Sequence, residues 1–144
     1  TVNNNLKTKI MTTQNKGTFK IEFNDANEPE VIFQPVNTEV WVSKQELTEL
    51  FGIDSLTLTS HLEQIYQSKV FRQDQTSKYH LYTSDDQIKY DITHCNLEII
   101  IALAYRIHTW QAELIRNWFM NKAIRGHYSV NYPLPEKNNN YPLN

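Results

Sequence analysis

The chain has few of the residues that brace small proteins covalently or let the backbone turn freely. It carries one cysteine, Cys95, in 144 residues. A single thiol cannot form an internal disulfide, and such sparse cysteine usage suits a reducing, cytoplasmic compartment. Glycine occurs only three times, which excludes a glycine-rich phosphate loop. No apolar run approaches the roughly 20 residues that cross a bilayer, and the first residues lack the apolar core of a signal peptide. An excess of one charge is missing too, since 14 Lys plus Arg stand against 16 Asp plus Glu, a net of -2. That balance argues against a polybasic nucleic-acid binder, while leaving room for DNA binding through a local patch.

What is present is enough for one packed domain. Hydrophobic residues make up 40% and aromatics 12%, which supports a real core with a few large anchors. Residues 1–16 are polar and include Asn3-Asn4-Asn5, so they read as a tail. A chain starting at Thr1 is not a raw translation start, and vector-derived residues are expected at the front. Residues 129–144 hold Pro133, Pro135, Pro142 and Asn138-Asn139-Asn140, and read as a linker into further chain. The domain is expected over residues 17–128.

Three stretches near the start have strand character. Thr18-Phe19-Lys20-Ile21-Glu22-Phe23 alternates with period two, Val31-Ile32-Phe33-Gln34 is β-branched and aromatic, and Val40-Trp41-Val42 follows a turn. Together they predict a small N-terminal antiparallel sheet, with Trp41 anchoring it to the first helix. Ser43-Lys44-Gln45-Glu46 is a capping box that opens a helix, with Leu47, Leu50 and Phe51 on its apolar face. Gly52 interrupts it. Asp54 is an N-cap for a second helix to about Tyr66, with Leu58, Leu62 and Ile65 as its apolar positions and Leu56 nearby. Two short helices around a glycine turn have helix-turn-helix spacing. The next segments, Lys78 to Thr83 and Ile88 to Ile92, are separated by Ser84-Asp85-Asp86-Gln87 and predict a hairpin. A helical segment over residues 96–107 follows, with Leu97, Ile100, Ile101, Leu103, Ala104 and Ile107 apolar. Thr109 caps a last helix, expected to bury Leu114, Ile115, Trp118 and Phe119 and to stop at Gly126. Trp110, Trp118 and Tyr105 are expected in the core. The fold class is therefore α+β: a winged helix-turn-helix-like domain with a small N-terminal sheet, a β-hairpin wing and two C-terminal helices.

In that arrangement the second helix would present Ser55, Thr57, Thr59, Ser60 and Gln64 outward, where hydroxyls and an amide reach phosphates or base edges. Residues 43–68 carry Lys44 alone against Glu46, Glu49, Asp54 and Glu63. Phosphate contacts must therefore come mainly from the hairpin and the last helices: Lys69, Arg72, Lys78, Lys89 and Arg116, with Lys44 beside them. A solvated surface of ordinary ion pairs is the bland alternative for each. His94-Cys95 without a second close pair is a weak zinc pattern. A nucleophilic Cys95 is weighed against a buried thiol, and the buried thiol is favoured. No enzyme activity, metal, cofactor or small-molecule substrate is expected. The function classes left open are duplex DNA binding, with a homodimer reading two half-sites, and a protein-interaction or oligomerisation module.

Four motifs in order also resemble a known family. Val40-Trp41-Val42-Ser43-Lys44-Gln45-Glu46-Leu47-Thr48-Glu49-Leu50-Phe51-Gly52-Ile53 is similar to the opening of RhuM-type virulence proteins. Thr57-Leu58-Thr59-Ser60-His61-Leu62-Glu63-Gln64-Ile65-Tyr66 resembles their next helix. Asn96-Leu97-Glu98 through Tyr105-Arg106-Ile107 and then Ile115-Arg116-Asn117-Trp118 resemble their later motifs. The resemblance implies a bacterial protein of pathogenicity islands or other mobile regions, with an N-terminal DNA-binding domain distantly similar to those of phage antirepressors. Family members are usually longer. Asp54-Ser55-Leu56 stands where the family commonly has a Ser-Arg-Ser-like opening of the second helix.

Overall fold

The computed structural model describes residues 16–129. The N-terminal tail before Lys16 and the linker after Ser129 lie outside the described residues. The domain is α+β, as expected. It opens with β1 (Thr18–Phe23) and β2 (Pro29–Gln34), an antiparallel pair in register from Thr18 opposite Gln34 to Phe23 opposite Pro29. Asn24 shapes their turn: its Oδ1 accepts the amides of Ala26 and Glu28 at 2.9 Å each.

The third strand departs from expectation. Trp41–Ser43 (β3) does not join β1 and β2. It pairs antiparallel with a later strand, so there are two sheets: β1-β2, and a three-stranded sheet of order β3-β5-β4. Alternation marks a segment as a strand and says nothing of its partner, which is chosen by tertiary packing. Val42 goes into the core opposite Cys95, while Trp41 is half-buried with Lys78 Nζ 4.8 Å above its ring.

Helix α1 (Lys44–Phe51) starts at the capping box. Ser43 Oγ accepts the Glu46 amide at 3.1 Å, and Glu46 Oε1 accepts the Ser43 amide at 2.9 Å. Partial burial works to raise the pKa of Glu46, but the Lys16 ammonium and the Ser43 bonds outweigh it and hold it below the ordinary value. Gly52 ends α1 at φ +67, a left-handed conformation that suits glycine. Helix α2 (Ser55–Gln67) begins at once, with Asp54 Oδ1 accepting the Thr57 amide at 2.7 Å. Leu47, Leu50 and Phe51 of α1 and Leu58, Leu62 and Ile65 of α2 are all buried. Leu56 is the exception, at 84% exposed. Two residues along a helix is about 200° of rotation, so it faces away from Leu58.

A one-turn helix, α3 (Gln73–Thr76), precedes β4 (Ser77–Ser84) and β5 (Gln87–Asn96). The two strands form the expected hairpin and extend it at the base. Asp85 and Asp86 make the turn with φ of 53 and 62, the two positive values of a type I′ turn. Helix α4 (Leu97–Ala104) is capped by Asn96, whose Oδ1 accepts the Ile99 amide at 3.4 Å. The last helix, α5 (Trp110–Ser129), passes through Gly126 without stopping. Glycine in a helix costs about 1 kcal/mol relative to alanine, too little by itself to end one.

One core joins these parts: Val42 and Cys95 from the sheet, Phe51, Leu58 and Leu62 from α1 and α2, Ile99, Ile100 and Leu103 from α4, and Ile115 from α5. The β1-β2 hairpin docks through aromatic edges, with Trp118 at 5.2 Å from Phe19 and 5.5 Å from Phe33. Trp118 is thus a core residue, although partly exposed. Tyr105 and Trp110 are more than half exposed, contrary to expectation. They flank the α4–α5 turn, and the Trp110 ring is tilted against the exposed Phe23 ring at 6.3 Å. Among the described residues, no helix is long and apolar enough to cross a membrane.

Candidate nucleic-acid interface

The helical period fixes what α2 shows to solvent. With Leu58, Leu62 and Ile65 inward, the outermost row is Leu56, Ser60, Glu63 and Gln67. The five polar residues expected outward therefore do not form one row. Ser60 lies on it. Thr57 and Gln64 lie on the flank toward the α4–α5 turn, and Ser55 and Thr59 on the flank toward the hairpin. Thr59 is partly buried there. Gln64 is engaged at both ends: Nε2 donates to Ser60 Oγ at 3.3 Å, and Oε1 accepts from Arg106 Nη2.

The amino end of α2 is no anion seat. The Asp54 carboxylate fills it, and the bonds from Thr57 hold the carboxyl below its ordinary pKa. A phosphate approaching that end meets a negative charge in place of open amides.

Between α2 and the β4–β5 hairpin the surface is concave. One open cleft of about 470 Å³ brings Lys44 and Lys89 to Thr59, with Tyr82 and Tyr90 in its wall. A second, of about 500 Å³, brings Lys69 and Arg72 to Glu63 and Gln67. Tyr66 and Tyr90 line both. Tyr66 shares a 2.9 Å hydrogen bond with Thr76 Oγ1, and burial pushes its phenol up to about 12, so it stays uncharged. Several cations here already have acidic neighbours. Lys44 Nζ is 3.9 Å from Asp91 Oδ1, and Arg72 Nη2 is 3.2 Å from Asp74 Oδ2. Lys44 is half-buried and its pairing with Asp91 is long, while the Arg72–Asp74 pair is exposed; both are of small worth.

The other two expected phosphate contacts lie outside these clefts. Lys78 sits over Trp41 at the base of the hairpin. Arg116 is held inside the fold, where Nη1 donates to the Ala104 carbonyl at 2.6 Å and to the Ile107 carbonyl at 3.2 Å. Its role there is to satisfy one open carbonyl at the end of α4 and another in the turn that follows. Arg106 is the cation that sequence reasoning left out of the site. It comes from the α4–α5 turn and reaches Gln64, and its only signal in the sequence is the Tyr105-Arg106 pair. Burial, then the charges of Arg106 and His108, push the His61 imidazole below its ordinary pKa, so this flank of α2 holds a neutral histidine.

Cys95 is fully buried, and burial pushes its thiol up to about 12 against a small opposing pull from Lys44. A thiol so protonated and enclosed is not a nucleophile. Among the described residues no group of three or more His, Cys, Asp or Glu side chains could hold a metal ion. Comparison with protein-family models, with curated proteins and with solved structures finds no match to this chain.

Proposed function

We propose that this chain is a DNA-binding regulatory domain of winged helix-turn-helix type, working in a reducing, cytoplasmic setting. The order β3–α1–α2–α3–β4–β5, in which α3 is a single turn and β3 lies in the same sheet as the hairpin, carries the reading. It leaves α2 anchored on one side and open on the other, with a two-stranded wing beside it. In this reading α2 enters the major groove with Ser60 and Gln67 nearest the bases and Thr57 on the flank toward the α4–α5 turn. Lys69, Arg72, Lys89 and Lys44 line the flank toward the wing, and Arg106 stands on the other. Arg116 is left out because its guanidinium already holds two carbonyls. The resemblance to RhuM-type proteins points the same way.

Two acidic features set the expected strength. Glu63 lies in the middle of the outward row, and Asp85 and Asp86 occupy the wing tip. Binding should therefore be modest and steeply salt-dependent, because phosphate contacts supply most of the affinity. The test is duplex binding by fluorescence anisotropy across a salt series. Arg72→Ala should flatten the log–log salt slope by about 0.9, the share of one phosphate contact. Glu63→Gln should tighten binding several-fold. No duplex binding even at low salt would sink the reading.

Leu56, exposed on the same row as Glu63, favours a second reading, in which this face holds a protein partner. Glu63→Gln separates the two, since tighter duplex binding is expected only if the row meets phosphates.

A further inference from the structure

The outer half of the β4–β5 hairpin is bare on both faces. Tyr79, Leu81, Ile88 and Tyr90 project from one face and are 40%, 66%, 77% and 49% exposed. Strand β4 also lies at the edge of its sheet, so one side of its backbone has no ladder partner among the described residues. Edge strands of this kind are usually blunted by a proline or by charges along them. From Tyr79 to Ser84 β4 has neither, and its register shift comes earlier, between Lys78 and Tyr79.

The turn tells which backbone groups face outward. A two-residue turn makes Ser84 and Gln87 a hydrogen-bonded pair, and bonded pairs then alternate down the ladder. Tyr82 opposite Lys89 and His80 opposite Asp91 are bonded inward. Thr83, Leu81 and Tyr79 consequently aim their N–H and C=O groups at the open edge.

We propose that this edge pairs with the same edge of a second copy of the chain, antiparallel about a two-fold axis at Leu81. That register sets Leu81 against Leu81 and Tyr79 against Thr83, so all three outward residues of each copy find bonded partners. It places His80 opposite Tyr82 and sets no like charges face to face. Moving the axis to His80 leaves Thr83 without a partner and opposes two histidines. A strand with its donors and acceptors so spaced is its own complement, as an isologous interface requires. The two-fold axis runs perpendicular to the joined sheet, so both copies of α2 stand on the same face. The pairing goes beyond the DNA reading and does not depend on it.

The experiment is sedimentation equilibrium of the full chain over a concentration series, without nucleic acid. A reversible dimer is expected. Leu81→Lys, which sets two ammonium groups on the axis, should raise the dissociation constant roughly tenfold or more. Thr83→Pro should do the same, because it deletes an outward N–H and leaves the β4–β5 ladder intact. Leu56→Lys should leave the dimer unchanged. As a readout that does not need a destabilising change, Leu81→Cys should form a disulfide-linked dimer on mild oxidation. Bonded antiparallel pairs have Cα atoms about 5.5 Å apart, within disulfide range, and buried Cys95 cannot compete. Leu56→Cys should stay unlinked. A chain that is monomeric throughout overturns the proposal, whether β4 amides exchange freely or are shielded by another segment of the same chain. So does a dimer indifferent to both β4 variants, or one that fails to link through Leu81→Cys. A monomer that binds duplex removes the pairing alone, and a dimer that ignores duplex removes the DNA reading alone.

Discussion

The helix pair α1–α2 and the hairpin β4–β5 follow one another in the chain and are built on opposite terms. Each helix starts from a side-chain cap and buries three large side chains, all 6% exposed or less. The hairpin anchors only its base, at Ser77 and Cys95, and extends into solvent with both faces open. A two-stranded ribbon is marginal alone. The difference separates parts that hold the domain together from parts that are available to meet something else.

Core truncation should break that contrast most visibly. Phe51→Ala is expected to cost about 3–5 kcal/mol, while Ile88→Ala in the hairpin should stay within about 0.5 kcal/mol. Urea denaturation of the two variants compares them directly, and equal losses would mean that the hairpin is as much part of the core as α1. Next comes the cap. Ser43→Ala removes the acceptor for the Glu46 amide and should cost about 1 kcal/mol, read as a lower midpoint in the same titration.

The pH dependence sharpens the comparison further. Burial, with help from nearby cations, holds His61 on α2 and His94 at the hairpin base below 6.5. Unfolding therefore takes up protons as pH falls below about 6.5. Stability should be full above that value and should decline below it, down through the lower folded pKa values. Glu46 and Asp54 add a further loss below their ordinary values of 4.5 and 3.8. His94→Gln should shrink the loss between pH 6.5 and 5, and an unchanged acid limb would show that His94 carries no such linkage.

Much of the fold was legible because its signals are local. The Ser43–Glu46 box, the Gly52 turn, the Asp54 cap and the Asp85-Asp86 turn each depend on neighbours within a few residues, and each stands in the structure as its chemistry suggests. The partner of β3 was hidden, since period two marks a strand without naming its mate. Gly126 carried a stop signal that helix continuation overrides at small cost. The site was less legible than the fold. Hydroxyl residues on α2 could be counted, but the 200° offset of Leu56 and the spread of Thr57, Thr59 and Gln64 over two flanks depend on which side of the helix is buried. The two arginines exchanged roles for a similar reason. Nothing near Arg116 in the chain reveals that the carbonyls of Ala104 and Ile107 lie within its reach, and nothing near Arg106 reveals Gln64.

The short ladder between β3 and β5 has a consequence for how the chain folds. Trp41 faces Asn96 and Ser43 faces His94, and Ser43 and Asn96 are the residues that launch α1 and α4. Because the strands run antiparallel, the two helices leave opposite ends of the ladder. Three residue pairs, from segments far apart in sequence, thus aim both helices at once. Closing that distance is the slow, entropically costly step of such a topology. Val42→Ala, placed in the middle of the ladder, should slow refolding more than it speeds unfolding.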